Sequence, residues 1–278
     1  MTTGLTLTGA VLAGLLLAAC QGSRIENATT RSDGAQGSGN GTGGSPGGGN
    51  ARDGGGFSAL PDVGAAPPGG PPAASCAQLM ATIRDFRDDH PDMEKFRGVL
   101  RGIVAGDLGA DKKPVYAATG PTAVTAGKDS FDQWYRDVDG VNMQLTTPLQ
   151  LTPTQPGVFA FTSNQFFPAD GLGFGNQGRM HNYHFTTELH ATFKYRGGEI
   201  FTFTGDDDVF VFVNNKLAID LGGIHQAETG TIDFDAQSTT LGITPGGVYP
   251  FDVFHAERRT TQSNFRVETS IDCFMPIL

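Results

Sequence analysis

Three consecutive aspartates set between two apolar strands constrain this chain more than any other feature. In the run from Gly198 to Gly223, Phe201 to Thr204 alternates aromatic and threonine positions with period 2, which suits a sheet with one face on a core and one in water. Val209 to Val213 has no polar position, so it belongs in the middle of a sheet, buried on both faces. Asn214-Asn215 supplies two residues that tolerate positive φ, and the chain turns back into a strand that ends at Gly222-Gly223. Between these strands, Asp206-Asp207-Asp208 crowds like charges at a strand entrance. A hard cation with oxygen ligands, calcium, would compensate them; a solvated acidic corner is the alternative. An EF-hand loop is excluded, because Phe210 and Val211 stand where that loop needs an acid or amide and then a glycine.

The segment Thr202 to Val209, followed by Asn214 to Gly223, resembles the fibro-slime domain, a branch of the protective-antigen-fourteen (PA14) superfamily. Other blocks agree with it in order: Ile83-Arg84-Asp85-Phe86, His90-Pro91-Asp92, Phe131-x-x-Trp134-Tyr135-Arg136-Asp137-Val138, Phe166-Phe167-Pro168 through Gly173-Phe174-Gly175-Asn176, and Ala256-Glu257-Arg258 through Ser263-Asn264-Phe265. The resemblance runs from Cys76 to the C-terminus. It implies an all-β, lectin-like β-sandwich with jelly-roll-like connections and one short helix. In fungal adhesins of the superfamily, two adjacent aspartates joined by a cis peptide hold a calcium ion that binds sugar hydroxyls directly. By position, that pair resembles Asp206 and Asp207. Glu257 and Asn264, in the later loop, are the candidates to complete the metal shell. Asp208 is a third acidic candidate, or else a structural acceptor. Candidate sugar contacts are Asp206, Asp207, His225 and Arg258, and the loops Gly171 to Gly178 and Ile224 to Thr229 would set selectivity.

The first 75 residues do not read as part of that domain. Leu5 to Ala19 is an apolar run of signal-peptide length ending in Leu17-Ala18-Ala19-Cys20, which resembles a bacterial lipobox. This predicts a leader over 1–19 and acylation of Cys20, although Met1-Thr2-Thr3-Gly4 lacks the usual basic residues. Gln21 after the cysteine favours an exported outer-membrane lipoprotein at the cell surface. Residues 20–75, dominated by Gly, Ser, Asn, Pro and Ala, bury too little apolar surface to offset ordering entropy and read as a tether. The folded domain is expected over 76–278. Of the three cysteines, Cys76 and Cys273 then bracket that domain, either joined as a disulfide or left as two buried thiols.

Net charge is −10, and residues 77–278 hold 25 acidic and 16 basic side chains. An acidic domain without a basic face argues against nucleic acid as a partner; membrane contact is expected through the lipid anchor only. A glycan partner and a divalent cation are compatible with it.

Along the domain, strands are expected at Leu79 to Phe86, Val141 to Leu151, Val158 to Thr162, His181 to Tyr195, Thr229 to Asp235, Val248 to His255 and Asn264 to Ile271. Asp129 to Val138 is the expected helix, capped by Ser130, with Phe131, Trp134, Tyr135 and Val138 on a core-facing side. Gly173-x-Gly175-x-x-Gly178 matches a dinucleotide fingerprint only formally, since a strand and not a helix follows. His184, Glu188 and His190 share one face of a strand and are expected to be solvated; positions four apart are about 13 Å from each other, too far for one ion. No G-x-S-x-G, metalloprotease or cysteine-nucleophile pattern is present, and the aspartates sit side by side and not across a cleft, so a non-catalytic role is expected. The alternative to glycan binding is a structural module that uses calcium for rigidity.

Overall fold

Fourteen strands occur in the computed structural model, which describes residues 76–95 and 97–277, and where apolar and polar residues alternate along a strand one side faces the core. The leader 1–19, Cys20 and the tether to residue 75 lie outside the described residues. In chain order the strands are β1 (Gln78–Phe86), β2 (Gly98–Val99), β3 (Asn142–Gln150), β4 (Thr152–Gln155), β5 (Val158–Ser163), β6 (Phe185–Lys194), β7 (Ile200–Gly205), β8 (Asp208–Val213), β9 (Lys216–Leu221), β10 (Gly223–Ile224), β11 (Glu228–Asp233), β12 (Val248–Glu257), β13 (Phe265–Thr269) and β14 (Phe274–Pro276). The helices are α1 (Lys128–Phe131) and α2 (Phe234–Leu241).

Two antiparallel sheets face each other. The larger has the order β3-β1-β6-β12-β8-β9, with β14 also on β6; the smaller has the order β11-β7-β13-β5-β4. Between them lies a core that includes Ile83, Leu189, Phe193, Phe201, Phe203, Val211, Phe251, Val253, Phe265 and Val267. This is the all-β sandwich expected from the sequence. Cys76 and Cys273 are joined in a disulfide beside β14, tying the two ends of the domain together.

The larger sheet is also covered on its outer side. Phe210, Phe212, Phe254 and Ala256 pack there against Ile103, Val104, Tyr116, Phe131, Trp134 and Tyr135, all supplied by the long excursion between β2 and β3. That second layer explains why every residue of β8 is buried. The β8–β9 hairpin turns at Asn214 and Asn215, with φ of 52° and 65°, as their tolerance of the left-handed region predicts.

Three expectations need correction. The helix expected over Asp129 to Val138 is only the four residues of α1, followed by turns; Ser130 does not cap it but donates its hydroxyl to Asp92 Oδ2 at 2.6 Å. Phe131, Trp134 and Tyr135 still form a buried cluster, and Trp134 is a core residue whose Nε1 donates to Asp92 Oδ2 at 2.9 Å. Second, α2 is an additional helix, begun by Asp233 accepting from the Ala236 amide and ended by Gly242 at φ 66°. Third, the polar side of β6 is not solvated: Thr186 and Glu188 are buried beneath the covering layer, and His184, just before the strand, is buried against Glu94. Glu188 meets Arg84 at 2.6 Å and also bonds Lys113 and His190, while His190 Nδ1 sits 2.6 Å from Asp252 Oδ1.

Candidate functional site

Where β7 ends in the smaller sheet and β8 begins in the larger one, Asp206 and Asp207 carry the chain across. The peptide bond between them is cis. Gly205 permits the crossing, since a Cβ there would overlap the Asn264 carbonyl. Beside the corner lie the segment Gly222 to Thr229, including β10, and the loop from the end of β12 to Asn264.

The three aspartates have separate environments. Asp206 is held by Asn264, whose backbone amide donates to Oδ1 at 2.5 Å and whose Nδ2 donates to Oδ2 at 3.0 Å. His255, fully buried, donates from Nε2 to the Asp206 carbonyl at 2.7 Å; burial lowers its imidazole to about 4, which keeps the ring neutral near pH 7. Asp207 takes the His225 amide at 3.1 Å on Oδ1 and the Arg258 amide at 3.2 Å on Oδ2. Burial raises the Asp207 carboxyl to about 8, with the charges of Asp208 and Asp206 adding to the shift and Arg258 opposing it. Four hydrogen bonds thus orient the four carboxylate oxygens, and each oxygen keeps lone-pair capacity for another partner.

Asp208 is different. Its Oδ2 lies 2.7 Å from Arg258 Nε and 2.6 Å from Nη2, and its Oδ1 accepts the Gly223 amide at 2.6 Å. Both side chains are fully buried. Arg258 Nη1 also donates to the carbonyls of Val124 at 2.7 Å and Asp92 at 3.0 Å, and the guanidinium lies 4.5 Å from the centre of a Trp134 ring. Asp208 and Arg258 therefore fasten the covering layer to the sheet. The expectations that Asp208 ligates a metal and that Arg258 touches sugar are corrected accordingly.

Glu257 ends β12 beneath the same corner. It is 1 % exposed, and neither carboxylate oxygen has a hydrogen-bond partner among the described residues. The neighbouring Ser263 hydroxyl donates instead to the Phe166 carbonyl at 2.7 Å. Burial drives the Glu257 carboxyl well above its ordinary range, and the charges of Asp207 and Asp206 push it further.

A cavity of about 10 Å³, room for a single water or ion, opens beside Asp206 and Asp207. His225 lies at its mouth, but its ring nitrogens are spent within its own loop, each 2.8 Å from a carbonyl oxygen, of Leu221 and of Gln226. Gln226, Arg259, Thr260, Thr261 and Gln262 complete the wall with Arg97. These six were not singled out from the sequence: polar residues in irregular segments carry no periodic signal, and Arg97 reaches the site from a segment more than 100 residues upstream of Asp206. Of the two loops expected to shape selectivity, the one with His225 and Gln226 lines the cavity, whereas Gly171 to Gly178 does not. Asp85 accepts the Phe174 amide at 2.5 Å and the Asn182 side-chain amide at 2.7 Å, which fixes that glycine-rich loop against β1.

Among the described residues, no group of three or more His, Cys, Asp or Glu side chains is arranged as a ready-made metal cage. The corner is an acidic, partly enclosed recess with the sealed carboxylate of Glu257 below it and both neutral hydrogen-bonding groups and the two arginines Arg97 and Arg259 around its mouth.

Residues 174–273 match the PA14 domain family model. Protein psiD of Dictyostelium discoideum is 41 % identical over 212 residues, 70 % of this chain and 41 % of its own length. Protein psiQ of the same organism is 40 % identical over 194 residues, 64 % of this chain and 19 % of its own length. The chain thus spans less than half the length of these curated relatives. Among solved structures, a PA14 sugar-binding domain from an RTX adhesin aligns over 72 % of this chain and 95 % of that one at 9 % identity, with a TM-score of 0.33. The family-model match takes in β6 to β13, strands of both sheets.

Proposed function

We propose that this domain is a calcium-dependent carbohydrate-binding module of the fibro-slime type, acting in adhesion at a cell surface without catalysing a reaction. PA14 domains are carbohydrate-binding and adhesion modules, and the match to that family carries the coarse part of the proposal. The observation that carries the calcium part is Glu257: a carboxylate sealed from water, with no well-formed hydrogen bond to either oxygen among the described residues, next to two more carboxylates. Such a group is costly unless a cation or a proton compensates it.

Oxygen donors of this kind are the ones a hard cation takes. Asp206, Asp207, Glu257 and the amide oxygen of Asn264 would hold it, and calcium also accepts backbone carbonyls and water, so a complete cage of side chains is not required. When bound, calcium offers open positions to vicinal sugar hydroxyls. The protein's own groups do the remainder: Asn264, the His225 amide and the Arg258 amide orient the two aspartates, His255 holds the Asp206 carbonyl, and Thr260, Thr261, Gln226 and Gln262 offer hydrogen bonds to a sugar ring.

Export and attachment through an acyl group on Cys20 at a bacterial outer membrane belong to the same proposal. Labelling with a fatty-acid probe, lost in Cys20→Ser, would support that part; unchanged membrane association in this variant would remove it.

Glycan-array binding measured in 1 mM calcium and again in excess chelator is the central test. Signal abolished by the chelator is expected. Binding indifferent to calcium would overturn the metal's role, and a domain that melts earlier on chelation yet binds no glycan would make the ion purely structural.

A further inference from the structure

The mouth of the acidic recess carries two arginines, Arg97 and Arg259, in a domain whose charge is otherwise negative. If they only neutralised the recess they would pair with its carboxylates, as Arg258 pairs with Asp208. They do not: no ion pair or hydrogen bond links either side chain to Asp206, Asp207 or Glu257 among the described residues.

Arg259 is held by its far edge. Nη1 donates to the Lys95 carbonyl at 2.7 Å and the Glu94 carbonyl at 3.3 Å, with a Glu94 carboxylate oxygen 3.9 Å away. Among the described residues the buried Nε has no acceptor, and Nη2 makes no hydrogen bond. The side chain is therefore anchored through Nη1, and Nη2 is the group left to meet a ligand. Arg97, also at the mouth, is exposed and makes no hydrogen bond or ion pair among the described residues. Two guanidinium groups at the mouth of this small recess suit an anion bound over it, because a carboxylate accepts charge-assisted N–H bonds far better than a neutral hydroxyl does.

We infer that this site selects an anionic sugar, a hexuronic acid or a glycan bearing one, with ring hydroxyls at the acidic corner and the carboxylate on Arg97 and Arg259. The inference rests on the carbohydrate-binding reading of the same site and adds the class of sugar to it. It also explains a division of labour: the acidic corner alone would repel an anion, so only the two arginines make such a ligand acceptable. Long-range attraction plays little part, since the domain as a whole is acidic; selection comes at short range.

The test is isothermal titration of the full chain, in 1 mM calcium, with matched pairs of methyl hexosides and methyl hexuronides of gluco, galacto and manno configuration. The hexuronide of the preferred configuration should bind at least about 10-fold more tightly than its neutral partner, and 0.5 M salt should erode that ratio. In the double variant Arg97→Gln/Arg259→Gln the ratio should fall to about one. Because Arg259 also holds two backbone carbonyls, Arg97→Gln alone is the companion variant, and it should lower the ratio part of the way. Neutral sugars binding as tightly as hexuronides, or a ratio unchanged in these variants, would overturn this inference and leave the carbohydrate-binding reading in place. Failure of every glycoside to bind would overturn both.

Discussion

Arg258 sets both Nε and Nη2 on one oxygen of Asp208, at 2.7 and 2.6 Å, with both side chains fully buried. The pair separates two kinds of acid in one triplet. Asp208 is neutralised within the protein, and Asp206 and Asp207 are left facing the recess.

Removing one member of that pair strands a buried charge. Arg258→Met should destabilise the domain by about 3–5 kcal/mol, and Asp208→Asn by a similar order. Urea unfolding of the two single variants and the double variant checks this, and the double should cost clearly less than the sum. Additive losses would mean that the two groups act separately.

Glu257 gives a test with opposite signs in two conditions. In excess chelator, Glu257→Gln should raise stability by about 1 kcal/mol or more, because a sealed carboxylate beside Asp206 and Asp207 is replaced by a neutral group. In millimolar calcium, the same variant should lack the gain in melting temperature that calcium confers on the native chain. Thermal melts with and without calcium read both effects.

His190 predicts a pH limit. Burial alone would lower this imidazole, but its bonds to Asp252 and Glu188 override burial and raise it to about 9. A raised folded value stabilises the folded state below the unfolded value of about 6.5, and that contribution is lost as pH rises through about 9. The melting temperature should therefore fall between pH 7 and 10, and His190→Gln should flatten the fall. Glu188, which His190, Lys113 and Arg84 hold at about 2 against the opposing effect of burial, contributes its full stabilisation above the ordinary value of 4.5 and loses it progressively as pH falls from there through about 2.

The disulfide closes a sequence separation of 197 residues. In the chain-entropy model such a loop is worth up to about 5 kcal/mol, so Cys76→Ser/Cys273→Ser should lose several kcal/mol in a urea melt. A reductant should lower the stability of the native chain and leave the double variant unchanged.

Local patterning alone determined the sandwich class, the doubly buried run Val209 to Val213, and the Asn214-Asn215 turn, because side-chain alternation and left-handed φ tolerance are written within a few residues. Asp206 and Asp207 could be singled out the same way, as adjacent acids before a core strand. Phe131, Trp134 and Tyr135 have helical spacing although α1 stops after four residues and tertiary contacts bury them; α2 carries little helical periodicity despite Asp233 and Gly242 at its two ends, since its apolar side is reduced to Phe234 and Leu241.

What only the tertiary structure decided is which charges are spent. Asp208 and Arg258 are 50 residues apart, Arg84 and Glu188 are 104 apart, and Arg259 meets the Glu94 and Lys95 carbonyls across more than 160. Whether a carboxylate or guanidinium is paired, sealed or open depends on partners that folding brings from distant segments, and no spacing along the chain encodes that. For the same reason the polar side of β6 looks solvent-facing in sequence and is buried in the fold: the layer that covers it comes from the excursion before β3.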